Sequence, residues 1–446
     1  MSVVVRRSDL TEEQVKIIRS LLFFQPKEKF NFTGKRGVSA AKPIFFYQLV
    51  ESGGEQYIFI PYRFAAILFG KNLNAEISYT PSQFKFTGTL RNYQGEDAPI
   101  ILSHLEEYGT STLRLYASYG KTIVGAYMAA HFGYLTIILM HRTTLLKQWQ
   151  QTFQKVTDAS TWMVGEEPMP PLFNVIICLD KRVEKIPVAI RNRVGMMIVD
   201  EAHAFCTESQ VERLLGFHPR YVIAETATLE RDDDMHRMIV AICGEHYITR
   251  EMKKNFHVYK IFTGIAGERE DRKHGPGVIW HTLAKSLAFN PIRNQIIVDL
   301  AMKNPDYKIV ILTGYRAHTK LLHQMFLDLK ESADFLCGPK KSYHDSRILI
   351  GTINKIGTGF DEASFCDDFN GVKINLGILA HSVAKKQLLE QTVGRVFRAD
   401  FPNIMHLVDD DKTIQNHWRK AKTWYKSKGG EIKEINLQED ENTSGT

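Results

Sequence analysis

The sequence predicts an α/β protein with two parallel-sheet domains in tandem behind a small β-containing N-terminal region. Three observations carry that prediction. Short, nearly uninterrupted apolar runs recur ("YLTIILMH", "NVIICLD", "GMMIVDEAH", "RYVIAET"), as strands buried on both faces require. From about residue 88 to 255 these runs alternate with helical stretches, the pattern of a parallel sheet covered by helices. From about 291 to 412 the pattern returns, with "KIVILTGY", "SRILIGT", "INLGILA" and "NIMHLVDD".

These patterns set the expected boundaries. Residues 1–87 form an N-terminal accessory region in which "PIFFYQLV" and "QYIFIPYRF" read as strands. Residues 88–262 form the first sheet domain and 291–430 the second. Between them 263–290 reads as a linker, because "GEREDRKHGPG" is charged and broken by glycine and proline. Residues 431–446 are a polar tail whose end, "QEDENTSGT", is expected to be disordered.

Composition narrows the class. The 446 residues suffice for two domains with separate cores, and 44% hydrophobic with 24% charged residues is ordinary for a soluble globular protein. The longest apolar run, "AYMAAHFGYLTIILM", is too short to cross a bilayer and contains His131, so no membrane partner is expected. No cationic stretch followed by an apolar secretory core opens the chain, so export is not expected. Cys178, Cys206, Cys243, Cys337 and Cys366 are scattered and read as buried free thiols in a reducing compartment. A net charge of +7 suits an anionic partner such as nucleic acid, though it is weak as a sole indicator.

The chemistry begins at "LRLYASYGKTIVG". A strand, a short loop and a helix would aim backbone N–H groups and the helix N-terminus at a bound anion. Lys121 would reach the outer phosphates of a nucleotide, and the Thr122 hydroxyl would ligate Mg2+. Taken alone, Gly120-Lys121-Thr122 is more often a surface turn, and the first glycine of the usual phosphate loop is absent, with Leu115 in its place. A partner is supplied by "MMIVDEAHAF", where a buried strand delivers Asp200 and Glu201 at its carboxyl end. Asp200 would hold the same Mg2+, and Glu201 would orient and deprotonate the attacking water. Asp-Glu-Ala-His can also be an ordinary acidic first turn of a helix; its place after a second buried strand favours the site.

The segment "KKQLLEQTVGRVFRAD" is amphipathic at the helical period, with Leu389, Val393, Val396 and Phe397 on one side. Gln391, Arg395 and Arg398 fall within roughly 60° of one another on the other side, at about 100° per residue. Two guanidinium groups on one stripe can neutralise charge that grows in phosphoryl transfer, whereas an isolated stripe would be a solvated face. In "HWRKAKTWYKSK", Trp418, Ala421 and Tyr425 share a face. Packed aromatics with solvated lysines is the preferred reading there, and a base-stacking platform the other.

With these residues in view, the chain resembles the superfamily 2 helicases and translocases over roughly 88–430, with motifs in the family's order. "LRNYQ" is similar to the adenine-reading motif, "YASYGKT" to motif I, "HRTTLLKQW" to motif Ia and "DEAH" to motif II. "TATLERDD" resembles motif III, "GTINKIGTGFD" motif V and "QTVGRVFR" motif VI. "TATLERDD", "NPIRNQ" and "WYKSKGG" lean toward the repair and transcription branch of duplex-DNA translocases, and within it toward the transcript-release DNA helicases of poxviruses and other large DNA viruses.

The resemblance implies two RecA-like domains, ATP and Mg2+ as cofactors, and an ATP-dependent motor on duplex or single-stranded DNA that binds without sequence preference. RNA, an RNA–DNA hybrid or an RNA polymerase are further partners it leaves open. So too is a soluble intracellular location, at a cytoplasmic viral replication site or in the virion. It implies that Gln94 contacts the base and that Ser118 and Gly120 line the loop. Gly359 and Asp361 would sense nucleotide, with Gln391, Arg395 and Arg398 completing the site. His203, Thr226 and Thr228 would couple nucleotide to nucleic acid, which Arg142, Thr143 and Thr352 would meet at its backbone. Ser118 and Leu229 depart from the family's glycine and proline, and a serine where the loop needs positive φ would add strain. The alternative is a nucleic-acid-binding transcription accessory factor whose ATP site is vestigial. The motor portion of a nuclease ranks lower, since no Pro-Asp…Glu-x-Lys cluster is present.

Overall fold

A computed structural model describes residues 1–25, 43–116, 119–226, 234–251, 254–271, 278–357, 360, 362–384, 386–394 and 396–436. The chain forms two compact units, Met1–Glu251 and Met252–Thr446.

The first unit is built on a seven-stranded parallel sheet. Its strand order is Tyr247–Arg250, Thr110–Leu115, Tyr221–Thr226, Met196–Val199, Thr136–Met140, Val175–Leu179 and Thr161–Met163. The apolar runs of the sequence are its central strands: all residues of Thr136–Met140, Val175–Leu179 and Met196–Val199 are buried. Helices cover the sheet because a parallel sheet has no face that can be left to water. Register sets the carboxyl edge, with Val199 beside Leu139 on one neighbour and Ala224 on the other.

The N-terminal region is a three-stranded antiparallel sheet, Ser2–Arg6, Glu55–Pro61 and Gln48–Ser52 in the order first, second, third. It shares a core with the first sheet: Ile58 and Ile60 belong to the same buried cluster as Met197 and Val222. Polar ties reinforce the contact. The Ser2 N–H donates to the Phe217 carbonyl (3.0 Å), and the Asn74 amide donates to Ser2 O (3.0 Å) and Pro219 O (2.9 Å). Residues 1–87 are therefore an extension of the first unit.

The second unit holds another seven-stranded parallel sheet, ordered Ala333–Leu336, Ile348–Thr352, Ile309–Thr313, Leu376–Leu379, Asn403–Val408, Phe256–Phe262 and Gly430–Asn436. Three expected boundaries shift. Phe256–Phe262, which the expected boundary at 262 placed in the first domain, pairs with Asn403–Val408 and Gly430–Asn436, so the units divide between Glu251 and Met252. The expected linker contains a helix, Trp280–Ala288, whose Leu283, Ala284, Leu287 and Ala288 are buried. The expected tail begins as the edge strand Gly430–Asn436, and its predicted disordered end lies outside the described residues.

Two motifs take structural roles here. In "NPIRNQ", the Asn290 side chain caps the helix Pro291–Met302 by accepting from the Arg293 N–H (2.9 Å), and Pro291 needs no donor in the first turn. Arg293, only 2% exposed, pairs with Asp409 (2.8 Å) and donates to the Ala380 carbonyl (2.9 Å). Trp418, Trp424 and Tyr425 of the helix Lys412–Ser427 are buried, so packing accounts for these aromatics and the stacking-platform reading falls. All five cysteines are buried, and among the described residues none is in a disulfide. Among the described residues no helix is long and apolar enough to cross a membrane.

Candidate nucleotide site of the first unit

Thr110–Leu115 runs into the predicted loop, and the helix Lys121–Phe132 leaves it. Gly120 is the N-cap at φ 90, where an added Cβ would lie 2.5 Å from the Gln94 side-chain nitrogen; only glycine fits. Lys121 and Thr122, both half-buried, are the first helical residues, so their backbone N–H groups are at the positive end of the helix.

Gln94 is fully buried beneath this loop. Its amide nitrogen donates to the carbonyls of Tyr119 (2.9 Å) and Gly120 (3.3 Å), while its oxygen accepts from the Arg91 N–H (2.9 Å). The residue expected to read the base therefore also braces the loop. Tyr119 completes the brace: its hydroxyl donates to Asp97 (2.5 Å), and Asp97 is ion-paired to Arg250. The rings of Tyr93 and Tyr116 lie 5.0 and 5.5 Å from that of Tyr119.

Asp200 follows the Met196–Val199 strand and is 7% exposed. Burial, and then the neighbouring Glu201, raise its carboxyl above the ordinary carboxylate range; Lys121 and the indole N–H of Trp149, which donates to Asp200 Oδ2 at 2.8 Å, pull the other way. A carboxylate so placed gains from a cation. Among the described residues no group of three or more His, Cys, Asp or Glu is gathered to hold a metal. Asp200, with the Thr122 hydroxyl as the second oxygen expected from the sequence, would suit a cation that keeps most of its ligands from water and phosphate, as Mg2+ does.

Glu201 sits at φ 52, a left-handed conformation rare for a residue with a side chain. Strain of this kind costs about 1–3 kcal/mol and concentrates at functional sites. His203, in the short helix Ala202–Phe205, lies 3.4 Å from Glu201 Oε2 and shares a 3.0 Å hydrogen bond between its Nδ1 and Thr226 Oγ1. Motif II and the start of motif III are thus physically joined by the hydrogen bond from His203 to the fully buried Thr226, with Glu201 Oε2 close to the same ring nitrogen.

Arg142 and Thr143 are exposed just beyond the carboxyl end of Thr136–Met140, at the start of the helix Thr143–Val156. In the second unit Thr352 ends the Ile348–Thr352 strand, 9% exposed. The motif VI segment forms the helix Lys386–Val393 and the short helix Val396–Arg398, with Leu389, Val393 and Val396 buried and Arg398 half-buried. Ser118, Thr228, Leu229, Gly359, Asp361 and Arg395, and the side chain of Gln391, lie outside the described residues.

Two residues at the site were not picked from the sequence. Trp149 was hidden in the motif Ia helix, where an apolar-face tryptophan reads as core. Glu225 is fully buried at the end of Tyr221–Thr226, and a single acid closing an apolar strand gave no signal of burial.

Comparison with known proteins bears on the family and the fold. The family model described as type III restriction enzyme, res subunit, matches residues 87–231. Protein 161L of Invertebrate iridescent virus 6, which carries the name of a helicase, is 26% identical over 422 residues, covering 85% of this chain and 90% of its own. Transcript termination protein A18 of Ectromelia virus is 23% identical over 322 residues, covering 64% of this chain and 62% of its own. Among solved structures, yeast Dbp5 L327V bound to RNA and ADP BeF3 superposes with a TM-score of 0.54 at 12% identity, over 78% of this chain and 91% of that one, a likeness of fold.

Proposed function

The chain belongs to the superfamily 2 helicases of large DNA viruses, and we propose that it is a nucleic-acid-stimulated ATPase that moves along DNA during viral transcription, releasing transcripts. One observation carries the reading. The first unit gathers a lysine at a helix N-terminus, a buried aspartate, a strained glutamate and a histidine bonded to motif III at one end of one sheet.

The roles follow from that placement. Lys121 and the N–H groups of its helix bind the phosphates, and Gln94 holds the loop in shape through Tyr119 and Gly120. Thr122 and Asp200 would hold Mg2+, which when bound neutralises charge on the outer phosphates. Glu201 orients a water and takes its proton. His203 carries the state of Glu201 to Thr226, and through that strand end to the residues facing nucleic acid. Arg395 and Arg398, with Gln391, would neutralise charge in the transition state, and Gly359 and Asp361 would sense the nucleotide. Arg142, Thr143 and Thr352 would hold a sugar-phosphate backbone, which predicts binding that tolerates any sequence and weakens steeply with salt. The A18 relative's name supports transcription as the setting, in which an RNA polymerase would be a partner.

The test is phosphate release by the wild type and Lys121→Ala, measured with duplex DNA, single-stranded DNA and RNA at fixed salt. Stimulation of the wild type by DNA, lost in the variant, is expected. Equal, negligible release from both proteins would sink the motor and leave the accessory factor. Stimulation by RNA alone would move the track from DNA to RNA.

A further inference from the structure

At the carboxyl end of the second sheet stands a row of aromatic rings that the nucleotide chemistry does not use. The strands Ile309–Thr313, Leu376–Leu379 and Ile348–Thr352 end side by side, with Leu312 paired in register to Leu379 and Thr313 to Thr352. Tyr315 and His381 lie two residues beyond the first two of these strands. The helix Trp280–Ala288 brings Trp280 and His281 to the same place, and the helix Lys412–Ser427 brings His417. Ring centres run from His417 to Trp280 at 5.1 Å, then to His381 at 5.7 Å, Tyr315 at 6.0 Å and His281 at 5.8 Å. Gly314 permits the meeting, since a Cβ there would lie 2.5 Å from His381 Nδ1.

Core packing does not account for this row. Trp418 and Tyr425, further along the last helix, are 5% and 0% exposed. Trp280, Tyr315, His381 and His417 are only half-buried, and His281 is exposed. The Trp280–His381, His381–Tyr315 and Tyr315–His281 contacts are edge-on, at 70°, 85° and 79°, so the rings are held without being stacked face to face. Burial, helped by the charge of Arg293, pushes His381 down to about 4, so its ring is uncharged at neutral pH. Exposed cations flank the rings: Arg316 follows Tyr315, Lys285 stands one turn after His281, and Lys420 one turn after His417. Thr352, read above as a sugar-phosphate contact, ends the strand beside that of Tyr315, about 4.8 Å away.

Resting on that nucleic-acid reading, we infer that the row is a stacking platform for unpaired bases of a single strand, with Tyr315 at its centre and Arg316, Lys285 and Lys420 drawing in the phosphates. A backbone contact serves single strands and duplexes alike, whereas an open ring face takes a base that has left its pair. Every base has such a face, so the platform tolerates any sequence.

The experiment is fluorescence-anisotropy titration of the full chain at fixed salt with single strands of about 12 nucleotides. The probes are oligo(dT), oligo(rU) and an abasic DNA strand of equal length and charge. Wild type should bind oligo(dT) or oligo(rU) at least tenfold more tightly than the abasic strand, and the better of the two identifies the strand that supplies the bases. Tyr315→Leu should lose roughly tenfold on that probe and stay within about twofold on the abasic strand, while Tyr315→Phe should match wild type. His281→Ala, at an exposed position that the fold does not need, should lose about threefold on the base-bearing probe alone. Equal wild-type affinity for abasic and base-bearing strands overturns the inference. So does an equal loss on both in Tyr315→Leu and His281→Ala, or a Tyr315→Phe as weak as Tyr315→Leu. A wild type that binds none of the three strands overturns the nucleic-acid reading itself, a result distinct from failure of the platform.

Discussion

Replacing Trp149 with phenylalanine tests the electrostatics of the site directly. The substitution keeps a large flat apolar side chain at a position that is 1% exposed, but deletes the N–H that meets Asp200 Oδ2 at 2.8 Å. A hydrogen bond to a buried charge contributes about 1.5–3 kcal/mol, and the smaller ring adds a void costing about 1 kcal/mol. The expected loss at neutral pH is therefore about 2.5–4 kcal/mol. The two parts respond differently to pH. Trp149 favours the ionised carboxyl, so its removal raises further a pKa already lifted by burial and by Glu201. With that pKa above its unfolded value, the folded variant binds more protons than the unfolded chain across the window from the ordinary carboxylate value to the raised one. The wild type does the same up to its own raised value, so the variant's deficit grows only as pH rises from the wild-type value to the higher value of the variant, and shrinks as pH falls below it. Urea unfolding at pH 5 and pH 7.5, followed by circular dichroism, reads this as a shift in midpoint at constant slope. A deficit equal at both pH values would show that only the void matters and that the indole does not serve a charge.

Three further outcomes are expected. Thr226→Val removes one neutral hydrogen bond to His203, a loss of about 1 kcal/mol; basal ATP hydrolysis should fall only a few-fold while stimulation by nucleic acid is lost, as phosphate release with and without DNA will show. Gly120→Ala forces a side chain into a positive-φ position 2.5 Å from the Gln94 amide, so nucleotide affinity measured by titration should drop more than tenfold, at about 1.4 kcal/mol per decade. In the second unit, His318 and His406 are buried and pushed down to about 3, chiefly by burial. Because that lies below the unfolded value, stability present above about pH 6.5 is lost on acidification, roughly 1 kcal/mol for each histidine at pH 5.5. His406→Gln should remove its own share, roughly 1 kcal/mol, from the loss between pH 7.5 and 5.5, read by urea midpoints at the two pH values.

How much the sequence disclosed depended on whether the signal was local. A buried parallel strand is an uninterrupted apolar run, so "TIILM", "VIICL" and "MMIV" were legible at once, as was the delivery of Asp200 and Glu201 at a strand end. Which sheet a strand joins is not local. Phe256–Phe262 looked like the last strand of the first domain because it follows that domain in sequence, yet its partners come from 403–408 and 430–436. The helix Trp280–Ala288 was masked by the charged, proline-broken run just before it. At the site, loop and motif residues were named by their spacing. Trp149 and Glu225 escaped because their roles come from tertiary neighbours: an indole aimed at Asp200, and a carboxyl given room by Gly125.

The same contrast separates the working end of the first sheet from that of the second. In the second unit the buried carboxylate beyond Asn403–Val408 is Asp409, and its valences are closed internally: Arg293 Nε and Thr263 Oγ1 both donate to Oδ1, each at 2.8 Å. Such a pair fixes structure and has little left to offer a ligand. In the first unit the corresponding acids are Asp200, whose charge burial opposes, and Glu225, whose oxygens have no hydrogen-bond partner among the described residues. Glu201 beside them is held at a strained φ. Each of these raises the free energy of the empty fold, and each is of a kind that a cation with a polyphosphate relieves. Stability forgone in the empty state is recovered as binding free energy, so the first unit is where ligand should raise the unfolding temperature. Hydrogen exchange with and without Mg2+–ADP makes the point measurable. Protection should rise at Met196–Val199, Tyr221–Thr226 and the Lys121–Phe132 helix more than at the Arg293–Asp409 core, and a uniform rise across both units would contradict it.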